Sequence, residues 1–164
     1  MIRNPFRAIL SWFRHNEIGP HSTSEISSLA YGSRERTEDQ SVFYTDKFEK
    51  FALENIDKWR TLIEDWVILG DVLVVHFENV VSDRMAEIER ILEFLKIKKN
   101  EERLACLKYC NMDMYKRKST KFSQSPFTDN LKTTINKSIA KVNKMLLKYG
   151  HSGIPYDKYG IDCD

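Results

Sequence analysis

Apolar positions along this chain recur at three- and four-residue steps in most places and lose that spacing in one, and this contrast sets the expected architecture. Phe6, Ile9, Leu10 and Phe13 make the first stripe. Asn4-Pro5 ahead of them has the form of a helix start, because an asparagine side chain can cap free N–H groups and proline's fixed φ suits the first helical position. A helix from about Pro5 to Asn16 is expected. The polar stretch from Gly19 to Gln40 reads as one long loop. Between Val42 and Leu69, the residues Phe48, Ala52, Ile56, Trp59, Ile63 and Trp66 carry a longer helix, and Gly70 stands where a C-terminal glycine would end it.

Val72-Leu73-Val74-Val75-His76-Phe77 breaks the helical spacing. A β-branched run of this kind suits a strand buried on both faces in a parallel sheet, and His76 inside it reads as a satisfied core histidine. Met1-Ile2-Arg3 reads as the last residues of a second strand that runs directly into the Pro5 helix. Asp83 then caps a helix with Met85, Ile88, Leu92 and Leu95 on one face. Glu101 to Cys110 forms another, and Leu131, Ile135, Ile139, Val142 and Leu146 form the apolar face of a last helix behind Thr128. Helices alternating with strands predict an α/β fold, helix-rich with a partial parallel sheet. One strand and a stub leave backbone groups without partners, so residues 1–164 are expected to form a single, partial domain, which either begins upstream or stands as a poorly supported fragment.

Composition narrows the function classes. At 164 residues with 41% hydrophobic and 12% aromatic positions, the chain can build a core. A formal charge of +2 gives no reason to expect a nucleic-acid partner. No run approaches the roughly 18 to 20 apolar residues of a membrane span. Cys106, Cys110 and Cys163 lack metal-site spacing, so no metal is expected, and Cys106 and Cys110, four apart on one helix, are expected to pack.

The chemistry-bearing segment is Arg3-Asn4-Pro5-Phe6-Arg7-Ala8-Ile9-Leu10-Ser11. An arginine delivered just ahead of a helix N-terminus favours an anion, since the helix offers free N–H groups and its positive dipole end, and a guanidinium grips phosphate with two prongs. Asn4, Arg7 and Ser11 fall on one helical face. Further on, Lys116, Arg117, Lys118 and Lys121 place four positive charges within six residues. A bound dianion would offset their repulsion, and a solvated basic turn is the other reading. The six glycines, Gly19, Gly32, Gly70, Gly150, Gly153 and Gly160, form no phosphate-cradling loop.

RNPxxxxxS, with its serine eight residues after the arginine, is similar to the 3′-phosphate-binding signature of sulfotransferases that use 3′-phosphoadenosine 5′-phosphosulfate (PAPS). The resemblance continues in order. VLVVHFENV at Val72 to Val80 resembles the family's hydrophobic run before Tyr-Glu, and Phe94-Leu95 its Phe-Leu-Gly. Tyr115 to Ser119 resembles the Phe-x-Arg-Lys-Gly loop that closes over the 3′-phosphate. IRNPF, NEERLAC at Asn100 to Cys106, SPFT at Ser125 to Thr128 and HSGIP at His151 to Pro155 resemble in particular the sulfotransferase domain of WSC-domain-containing proteins.

The resemblance implies the C-terminal part of a P-loop-like sulfotransferase fold, with PAPS as co-substrate and no metal. Arg3 and Ser11 would bind its 3′-phosphate, with Arg117 and Lys118 covering it. Glu78 would orient the turn into the next helix. The acceptor class stays open between carbohydrate and protein, and a Golgi or other secretory-pathway membrane is the location the resemblance suggests. Two departures stand out: Phe77 replaces the family's tyrosine, and Ser119 replaces the glycine that ends the basic loop. The element that holds the 5′-phosphosulfate in the family has no counterpart in these residues, so no catalytic residue is assigned and the chain alone is expected to be inactive. A non-enzymatic module that binds a protein partner is the alternative.

Overall fold

The computed structural model describes residues 1–18, 40–109 and 122–159. Seven α-helices are present among them: α1 (Pro5–Ile18), α2 (Asp46–Leu69), α3 (Phe77–Ser82), α4 (Arg84–Phe94), α5 (Glu101–Tyr109), α6 (Asp129–Lys148) and α7 (Tyr156–Tyr159). A 3₁₀ turn, Gln40–Tyr44, precedes α2. None of these helices is long and apolar enough to cross a membrane. The chain divides into two compact units, one of Met1–Asn4, Ile63–Lys121 and Val142–Asp164, the other of Pro5–Leu62 and Phe122–Lys141.

The unit built on α1 is held by aromatic side chains. Ile9 and Phe13 face inward from α1, as their spacing requires. The Phe13 ring lies 5.5 Å from Phe43, 5.1 Å from Phe48 and 5.2 Å from Phe51. Phe48 meets Phe127 edge-on at 5.4 Å, and Phe127 meets Phe6 at 5.0 Å. Such tilted and edge-to-face pairs each add roughly 0.5–1.5 kcal/mol to the burial of the rings themselves. Thr128 opens α6 by accepting the Leu131 N–H at its hydroxyl, 3.3 Å away; Leu131, Ile135 and Ile139 of the expected stripe are buried in this unit, and Val142 and Leu146, also buried, belong to the other.

In the other unit, Gly70 closes α2 at a φ of +72°, which only glycine adopts without strain, and its N–H reaches Val67 O. The buried stripe of α2 passes through Ile56, Ile63 and Val67, while Trp66 is exposed. The stripe departs from expectation by one residue there, because three- and four-residue steps from Ile63 reach Trp66 and Val67 equally well in sequence. Asp83 caps α4 as expected, its carboxylate accepting the Ala86 N–H at 3.1 Å. Asn100 does the same for α5, accepting from Arg103. No α4 residue is fully buried. Cys106 is exposed, contrary to the packing expected of it, and Cys110 lies outside the described residues.

The α/β expectation is overturned: no strand or sheet occurs among the described residues, and the architecture is helical. What remains of the expected parallel sheet is one isolated bridge, Ile2 with His76, in which Ile2 N–H donates to Val75 O and Phe77 N–H to Ile2 O, both at 2.7 Å. The physical reason is that a helix begins almost at once beyond each bridge residue. Phe77 starts α3 directly after His76, and Pro5 starts α1 three residues after Ile2, so pairing stops there. The Val74 carbonyl is taken instead by the Arg90 guanidinium at 2.7 Å. Val74 and Val75 are buried without a ladder, so β-branched composition reported burial rather than strand pairing.

Candidate functional site

The segment that carries Arg3 is held at both neighbours. Ile2 makes the bridge to His76. On the other side the Asn4 N–H donates to Glu78 Oε1 at 3.0 Å, and Asn4 Nδ2 donates to the Tyr159 carbonyl at 2.7 Å. Asn4 is 1% exposed and Glu78 8%. Arg3 itself is half-buried, its guanidinium 4.8 Å from the centre of the Phe77 ring. The guanidinium carbon lies over the ring, a cation–π contact.

Phe77 thus has a part that sequence reasoning gave it only as a departure from a tyrosine. Its ring supports the arginine without needing the hydroxyl. His76, expected in the core, is fully buried there, with Nε2 3.4 Å from Ser152 O, the distance of an N–H tautomer donating to the carbonyl. Burial pushes its imidazole below the ordinary value, and the Ser152 carbonyl and the carboxylates of Glu78 and Glu87 offset this only in part. The Tyr159 phenol is held well above its usual range by burial and by Glu78.

Ser11 stands on α1 with an exposed side chain, one turn beyond Arg7, which is also exposed. A hydroxyl and a cation therefore share one face of that helix. Asn4 stands directly ahead of Pro5, the first residue of α1. Its amide nitrogen reaches Tyr159, a residue that nothing in the sequence pointed to. Arg117 and Lys118, the two residues expected over the phosphate, lie outside the described residues. Guanidinium and hydroxyl groups are both donor types that a phosphate dianion accepts from.

The whole sequence has relatives among known proteins. The chain matches the family model of the sulfotransferase domain over residues 1–145. WSCD family member CG9164 of Drosophila melanogaster is 22% identical over 155 residues, which are 93% of this chain and 44% of that protein. WSCD family member AAEL009094 of Aedes aegypti is 25% identical over 151 residues, 91% of this chain and 44% of that protein. The chain spans less than half the length of these curated relatives. No solved structure matches it. The resemblance to WSC-domain-containing sulfotransferases is therefore borne out by relatives as well as by motifs, and with the family model covering most of its residues this chain belongs to the sulfotransferase domain family.

Proposed function

We propose that this chain carries the part of a PAPS-dependent sulfotransferase that grips the donor's 3′-phosphate, in a protein that sulfates a hydroxyl or amine of a carbohydrate or protein acceptor. PAPS, when bound, supplies the sulfuryl group and leaves as 3′,5′-ADP. Arg3 binds the 3′-phosphate through its in-plane N–H donors, Ser11 contributes a hydroxyl, and Arg117 and Lys118 neutralise the remaining charge. The observation that carries the reading is the lead-in to α1: Arg3, with its guanidinium over the Phe77 ring and flanked by two pinned residues, stands two positions ahead of a 14-residue helix that bears Ser11. Preorganisation of this kind raises affinity because fewer rotamers are frozen on binding.

The test compares two nucleotides that share adenosine and the 5′-phosphate and differ at the 3′ position. Arg3→Ala is expected to weaken 3′,5′-ADP by about 1.5–3 kcal/mol, roughly one to two orders of magnitude, and to leave 5′-AMP nearly unchanged. Ser11→Ala acts in the same direction by about 0.5–1.5 kcal/mol, as a neutral hydroxyl should. Arg117→Ala resembles Arg3→Ala. Calorimetric titration reads all three, and equal losses for both nucleotides on Arg3→Ala would sink the reading.

A further inference from the structure

The N–H of a residue that caps a helix has no partner inside the helix. In the usual capping box a Glu or Gln three residues into the helix accepts it. With Asn4 ahead of Pro5 that place falls on Arg7, which has no acceptor to give. The Asn4 N–H is met instead by Glu78, 74 residues away on α3, at 3.0 Å and in a buried setting. We infer that Glu78 is a positioning residue for the 3′-phosphate site: by accepting the Asn4 N–H it completes the cap from a distance and fixes the peptide through which Arg3 is presented. This inference deepens the donor-site reading and rests on it.

Three observations support the role. Arg3 lies between two residues whose backbones are tied down, Ile2 to Val75 and Phe77, and Asn4 to Glu78. Phe77, which carries the Arg3 guanidinium, is the direct neighbour of Glu78, so one short stretch of α3 sets both the backbone and the side chain of Arg3. Glu78 uses Oε1 for this bond, while its buried Oε2 finds no hydrogen-bond partner among the described residues. The contact thus asks for an acceptor at a given reach, and a charge is not required for it. A misplaced guanidinium holds an anion less well, because charge-assisted hydrogen bonds weaken with lost reach and angle.

Reach and charge can be separated by two conservative changes. Glu78→Gln keeps the acceptor at the same distance and removes the charge. Glu78→Asp keeps the charge and withdraws the acceptor by about 1.5 Å, one carbon–carbon bond. Titrating the full chain with 3′,5′-ADP and 5′-AMP, we expect Glu78→Asp to weaken 3′,5′-ADP roughly tenfold and 5′-AMP less than about twofold, with Glu78→Gln within about threefold of the parent for both. Amide exchange at Asn4 should accelerate in the Asp variant alone. A selective loss in the Gln variant, parallel losses for both nucleotides in the Asp variant, or a silent Asp variant would each overturn the inference. Should the Asp variant fail to fold, the Gln variant still decides, by keeping or losing selectivity. Arg3→Ala run alongside separates the two levels. If it discriminates between the nucleotides and Glu78→Asp does not, the positioning role alone falls; if it weakens both alike, the donor-site reading falls and takes the positioning role with it.

Discussion

Gly153, in the HSGIP segment, is predicted to be required for a reason that can be worked out atom by atom. A β-carbon added there would lie 2.7 Å from Asn143 Oδ1 and 3.4 Å from Leu147 Cδ2. The first distance is too short to survive, and the atom that must move is the end of an asparagine side chain. That same Oδ1 accepts the Ile154 N–H at 2.8 Å, where Ile154 is 6% exposed. Gly153→Ala therefore acts by turning the carboxamide away and orphaning the amide. Leaving a buried donor unmet costs about 1–3 kcal/mol, and the stiffer unfolded chain of an alanine returns about 0.4–1 kcal/mol. The expected net loss is about 1–2 kcal/mol. Asn143→Ala orphans the same amide and opens the space for the methyl group, so in that background Gly153→Ala should cost nothing and return about 0.4–1 kcal/mol from the stiffer unfolded chain. Equilibrium urea unfolding of the four proteins, monitored by tryptophan fluorescence, gives the coupling energy, expected at about 1–3 kcal/mol, the cost of the orphaned amide. Additive losses, within about 0.5 kcal/mol, would refute the reasoning, since the methyl group would then be acting on something other than Asn143.

Phe13→Ala should cost about 3–5 kcal/mol in the same assay, because the ring is 1% exposed and touches three others, whereas Leu62→Ala, at a position 60% exposed, should stay within about 0.5 kcal/mol. Asp83→Ala should lose about 0.5–2 kcal/mol with the cap of α4, and Asp83→Asn should recover most of it; equal losses would assign the effect to charge. His76 is held below its ordinary value of 6.5 in the folded protein, so the unfolded chain takes up the proton first. Its contribution to stability is therefore complete above about pH 6.5 and declines as pH falls through that value toward the folded one. Urea midpoints should drop between about pH 7.5 and about pH 5, and His76→Gln should flatten the slope; a midpoint that rises on acidification would contradict this.

What the sequence determined by itself was everything governed by near neighbours. The α1 stripe, the α6 stripe behind Thr128, the glycine stop at Gly70 and the Asp83 cap are all set within a turn or two of chain, and each stands where local spacing put it. The RNPxxxxxS segment was legible for the same reason, since a helix start and the residues on its first turns are local facts. Only the tertiary structure decided the rest. Whether residues 72–75 form a ladder depends on partners elsewhere in the chain, and they meet one bridge at His76 and the Arg90 side chain instead. Whether Trp66 or Val67 faces inward depends on what packs against α2, which the spacing of α2 alone leaves undecided. Nothing local could say that Glu78 and Tyr159 would meet Asn4 across 74 and 155 residues, because such contacts arise only when distant segments are buried together.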